Sequence, residues 1–112
     1  MSEFTFLFRG SARGRSSPEQ MQRSFEKWAA WFKELGAQGH IKDRGNALDD
    51  GGRLVSGRQK TVSDGPFAEA KDLVNGYIIV EASDLDHAVA LAKGCPIFDD
   101  GGAVEVRPIR KM

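Results

Sequence analysis

The sequence predicts an α+β domain in which two helices cover one face of an antiparallel sheet. Three observations predict it. A phenylalanine alternation opens the chain at Phe4, Phe6 and Phe8, a helix-period apolar stripe with clear start and stop signals follows, and an apolar run at Gly76–Ala82 precedes a second helix pattern and a last alternating segment, Ala103–Ile109. The 112 residues suit one domain, 1–112.

In Glu3–Arg9 the aromatics fall on one side of a strand, and three phenylalanines there need a covering layer, most simply a helix. Residues 10–16 are a polar, glycine-containing loop. Ser17 is placed as an N-cap, Pro18 stands at the first helical position, and Gln20 completes a capping box. Met21, Phe25, Trp28, Phe32 and Leu35, alternately four and three residues apart, form one stripe of an amphipathic helix. Gln22, Arg23, Glu26, Lys27, Lys33 and Glu34 occupy the other side, and Gly36 and Gly39 stop the helix.

Residues 40–63 predict two short extended pieces, near His40–Lys42 and Gln59–Val62, around a turn-rich stretch containing Asp49-Asp50-Gly51-Gly52. Asp64-Gly65-Pro66 is a turn by composition, and 67–73 has room for one helical turn. Gly76–Ala82 is β-branched and aromatic, too apolar for an exposed edge. A second helix follows with Ser83 as N-cap and Asp86 at the third position. Leu85, Ala88, Val89 and Ala92 form its apolar side, and Gly94 and Pro96 end it. In the last strand Val104 and Val106 fit the helix side, leaving Ala103, Glu105, Arg107 and Ile109 on the open face.

The resulting order, β-α-β-β-α-β, is the split βαβ or ferredoxin-like arrangement. An open face that is half polar and half apolar predicts burial against a second copy around a shared cavity, a dimeric α/β barrel.

Composition narrows the function. Sixteen Lys and Arg balance sixteen Asp and Glu, which argues against a global basic field for nucleic acid. One cysteine permits no intrachain disulfide and suits the cytoplasm. No apolar run approaches the roughly 20 residues of a membrane span, and the first residues carry no secretory pattern.

Val62-Ser63-Asp64-Gly65-Pro66-Phe67-Ala68-Glu69-Ala70-Lys71 resembles the YCII-related family, in its Asp-Gly-Pro-Phe branch. The likeness continues through Gly76-Tyr77, Asp84-Leu85-Asp86, Gly94-Cys95-Pro96 and Val104-Glu105-Val106-Arg107-Pro108. The resemblance implies a ferredoxin-like domain of a small bacterial protein that dimerises through its sheet. It also implies an association with sigma factors of the extracytoplasmic-function type. The wider barrel superfamily holds monooxygenases and isomerases of small ring compounds. Other relatives carry a His–Asp pair with the His on the first helix. Here that helix has no histidine and Trp28 stands in its place, which weakens the case for that chemistry in this chain.

The candidate residues each have two readings. Asp64 is a carboxylate base at a cavity mouth, or it caps its own turn. Glu105 and Arg107 alternate on one strand face. They polarise and bind a substrate, with Arg107 as a fork for a carboxylate or enolate, or they form a structural ion pair. Tyr77 donates into the same cavity or packs as an aromatic. Trp28 is core or a ring-stacking wall, and His40, just after the first helix, is a group able to titrate near neutral pH. Arg9, Arg13 and Arg15 can seat an anion or simply be solvated. His87 is expected in solvent, and Cys95 as a small packed residue. Histidine and cysteine spacing gives no metal site, no nucleotide-loop spacing occurs, and no cofactor is expected. Two function classes follow. One is a homodimeric module that binds a small ligand or a protein partner, with a sigma-factor link. The other is a cofactor-independent isomerase, lyase or oxygenase acting on a small compound, aromatic or otherwise.

Overall fold

Three phenylalanines on alternate positions organise the molecule. In the computed structural model, which describes residues 1–10, 17–49, 51–64 and 72–112, Phe4, Phe6 and Phe8 all point to the buried side of the first strand, β1 (Ser2–Arg9). The order continues with α1 (Pro18–Ala37), β2 (Ile41–Ala47), β3 (Arg53–Ser56), β4 (Thr61–Asp64), β5 (Val74–Ala82), α2 (Leu85–Ala92), a 3-10 helix at Pro96–Asp100 and β6 (Ala103–Pro108). The main sheet has the order β2-β5-β1-β6, and its paired strands are antiparallel. This is the ferredoxin-like arrangement, with β3 and β4 added as a separate hairpin.

The register sorts side chains between two faces. Phe6 lies between Ile78 and Val106, and Phe8 between Gly76 and Val104, on the inner, helix-covered face. Leu7 lies between Tyr77 and Glu105, and Thr5 between Ile79 and Arg107, on the outer face. Phe6, Ile78 and Val80 are fully buried, with Trp31 and Leu35 of α1 and Ala88 and Ala92 of α2 packed over them. Trp31 stacks on Phe6 at 6.3 Å, and Trp28 meets Phe8 edge-on at 5.1 Å.

α1 starts as its sequence dictates. The Ser17 hydroxyl accepts the Gln20 backbone N–H, and the Gln20 side chain accepts the Ser17 N–H. The helix runs through Gly36 and is capped at Gln38, so Gly36 does not stop it, whereas Gly39 adopts the left-handed conformation beyond it. The expected apolar stripe divides. Leu35 is buried and Trp28 and Phe32 are half-buried, but Met21 and Phe25 are 59% and 70% exposed because they stand over a pocket rather than over packed core. α2 is capped by Asp84 rather than Ser83, since the Asp84 carboxylate accepts the His87 backbone N–H at 2.8 Å. Between residues 40 and 63 the first extended piece, β2, is longer than expected, the second falls at Thr61–Asp64 as β4, and a further strand, β3, pairs with it as a hairpin. Leu54, Val55 and Val62 stay largely exposed on it. Arg13, Arg15 and residues 65–71 lie outside the described residues.

Candidate functional site

β2 joins β5 irregularly, and this irregularity shapes the site. Ile41 pairs with Val80 and Asn46 with Tyr77, with register shifts on both sides of Asp43. Gly45 sits in the bulge at φ +60°, where a Cβ would collide with the Tyr77 carbonyl. The Asp43 carboxylate accepts the Gly45 N–H at 2.8 Å and holds the bulge closed.

The bulge, the sheet and the first turns of α1 enclose a pocket of about 540 Å³ on the inner face. Its walls are mainly aromatic and apolar, with Phe8 from β1 and Met21, Phe25, Trp28 and Phe32 from α1. Ser24, Arg44, Asn46, Asn75 and Asp100 are the polar and charged residues along its lining besides Tyr77. A second groove shares Phe25, Trp28, Phe32 and Arg44 and continues along α1 past Lys33. Size and lining match a small-molecule site, an apolar cleft with a few polar groups at its edge.

The six sequence candidates fall in four places. Trp28 is a wall of the inner-face pocket. The pocket runs along the β5 backbone at Tyr77, but strand alternation sends the Tyr77 ring to the outer face, where its hydroxyl accepts from Asn46 Nδ2 at 3.2 Å. Glu105 and Arg107 also lie on the outer face. Glu105 pairs with Arg9, and Arg107 Nε stands 3.7 Å from its other oxygen. Arg9 also reaches the Asp72 carbonyl at 3.4 Å, while its Nε is buried without a hydrogen-bond partner among the described residues. Arg107 itself stays 65% exposed.

Asp64 ends β4 on the hairpin, 92% exposed and 3.4 Å from Arg53 Nε. It does not line the pocket. His40 is buried at the junction of α1 and β5. Its backbone N–H donates to Leu35, its carbonyl accepts from Glu81, and its Nδ1–H donates to the Glu81 carbonyl at 2.9 Å. Its ring meets that of His87 edge-on at 5.1 Å, so His87 is half-buried against His40 instead of free in solvent. The His87 Nδ1 accepts the Ser83 N–H.

Cys95 is buried, and burial pushes its thiol up to about 12, against the opposing pull of the Ile97 backbone hydrogen bond. A thiol so protonated is a packing group, not a nucleophile. No group of three or more His, Cys, Asp or Glu among the described residues is placed to hold a metal ion. No helix among them is long and apolar enough to cross a membrane.

Sequence reasoning missed Arg44 and the overhang of Met21 and Phe25. The signal for Arg44 was present in Asp43-Arg44-Gly45, since a lone glycine inside a strand marks a bulge or a close backbone approach.

Comparison with known proteins bears on the family and the fold. The family model described as the YCII-related domain matches residues 10–112. Among solved structures the chain is similar to 5-chloro-2-hydroxyhydroquinone dehydrochlorinase (TftG) from Burkholderia phenoliruptrix AC1100, in its complex with 2,5-dihydroxybenzoquinone. The two are 19% identical with a TM-score of 0.51, over 98% of this chain and 95% of that chain. At that identity the likeness shows the fold. No protein of curated function matches.

Proposed function

The chain belongs to the YCII-related family, and from that premise we propose that it binds a small, planar organic compound in the pocket between α1 and the sheet. The observation that carries this reading is the aromatic lining. Phe8, Phe25, Trp28 and Phe32 line a volume with room for a single-ring ligand. Trp28 is the stacking wall. In this reading the protein works in the cytoplasm as a homodimer. The outer face supports the dimer, because Leu7, Tyr77 and Ile79 are only half-buried in one copy. The sigma-factor link implied by the Asp-Gly-Pro-Phe resemblance is the partner reading for this module. Glu105, Arg107 and Asp64 then serve the dimer and the hairpin instead of the ligand.

A second reading, a cofactor-independent enzyme on a small ring compound, is favoured by one feature. Asp100 is among the residues that line the pocket, and a carboxylate there can accept a proton from a ring hydroxyl. The similar structure is named as a dehydrochlorinase and holds a dihydroxybenzoquinone, chemistry of that general kind.

Titration with benzoate, catechol and 2,5-dihydroxybenzoquinone, followed through the indole N–H resonances, tests the pocket. At least one probe is expected to shift the Trp28 signal saturably with a Kd of about 1 mM or tighter. Trp28→Ala is expected to abolish the binding with the fold retained. No saturable shift with any probe would overturn the reading.

A further inference from the structure

We propose that the pocket selects an organic anion, an aromatic carboxylate or phenolate, and that Arg44 is its anchor. This rests on the pocket being a ligand site, and it adds the charge of the ligand. Three observations carry it. Arg44 lines both the aromatic pocket and the adjoining groove, at the seam where they share Phe25, Trp28 and Phe32. The charged residues of that groove are Lys33 and Arg44, two cations with no carboxylate among its described lining residues. Arg44 also has no hydrogen bond or ion pair to any described residue, whereas Arg9, Arg53 and Arg107 are each engaged with a carboxylate.

The backbone is built to aim this guanidinium. Residues 44 and 45 fall between the pairs at 43 and 46 opposite a single residue, Ile78, where a regular ladder would have one residue. The extra residue turns the strand, and Gly45 is needed at its crest because any side chain would strike the Tyr77 carbonyl. The Asp43 side chain is spent on the Gly45 N–H. Bulges re-aim side chains, and this one turns Arg44 onto the inner face beside the pocket. A planar fork at the edge of an aromatic slot can bind a carboxylate through paired N–H donors while the ring lies against Trp28. Asp100 lines the same pocket from the 3-10 helix that leads into β6, at the opposite edge of the sheet from β2. It therefore leaves the cationic end unneutralised.

The test compares benzoate with its neutral isostere benzamide, in the full chain and in Arg44→Gln and Arg44→Lys variants, by the same indole resonances. The wild-type chain is expected to prefer benzoate by about tenfold, the size of one charge-assisted hydrogen bond. Arg44→Gln is expected to erase the preference by weakening benzoate far more than benzamide, and Arg44→Lys to restore part of it. Equal binding of both probes, with Arg44→Gln indistinguishable from wild type, would overturn the anion assignment while the pocket reading survives. Failure of both probes would sink the pocket reading itself.

Discussion

The two faces of the main sheet are built from neighbouring residues of the same strands, yet they differ in packing and charge. The inner face is apolar and aromatic. It is sealed by Trp31, Leu35 and α2, and left ajar where Met21 and Phe25 overhang the pocket. The outer face is half-buried. Thr5, Leu7, Tyr77 and Ile79 form its middle, and Arg9, Glu105 and Arg107 form an ionic cluster along β1 and β6. Charge marks an outer face that is open in one copy, whereas concavity and aromatic lining mark a small-molecule site. The concavity lies on the inner face.

The sharpest way to break this contrast is to compare adjacent residues of β1. Phe6→Ala removes a ring that is 0% exposed and is expected to cost about 3–5 kcal/mol in urea denaturation. Thr5→Ala, one residue away on the outer face, loses one hydrogen bond, from its hydroxyl to the Ile78 carbonyl at 3.2 Å, and is expected to cost about 1 kcal/mol or less. Similar losses would mean that the faces are not differently buried.

A second comparison uses the thiol of the helix layer. Burial raises Cys95 from 9.0 to about 12, so the folded protein keeps the thiol neutral. The associated stability is fully present below pH 9 and drains as pH rises toward about 12, because the unfolded thiol ionises first. Ellman's reagent at pH 8 is expected to react about a hundredfold more slowly with native protein than with protein unfolded in urea. Comparable rates would show that the layer over the inner face opens readily.

The smallest effect belongs to the outer face and separates one copy from two. In dilute protein, Glu105→Gln is expected to cost about 1 kcal/mol or less, as for other part-exposed ion pairs. At concentrations where the proposed homodimer covers this face, the loss should grow, and the wild-type Tm should rise with protein concentration. A Tm that does not depend on concentration would remove the dimer from the account.

Much of the fold was legible in the sequence. The phenylalanine alternation of β1, the capping box of α1 and the Val104/Val106 split of β6 are local signals, and each was realised as patterned. The reading went astray where tertiary contacts decide. Phe25 obeys the helix period, yet it is exposed because the sheet beneath it leaves room rather than filling the space. His87 lay off the apolar stripe, and it is partly buried by His40 from a different element.

The candidate site was less legible. Glu105 and Arg107 were found through strand alternation, which assigns a face but says nothing of concavity. Trp28 was weighed from its helix position. Arg44 depends on a bulge whose register only the pairing with β5 reveals.

The most direct test of the central claim is a map of amide shifts on titration with benzoate. The account predicts perturbations at Trp28, Phe32, Gly45 and Gly76, on the inner face around the pocket. Perturbations confined to Leu7, Ile79, Glu105 and Arg107 would place the site on the outer face and contradict it.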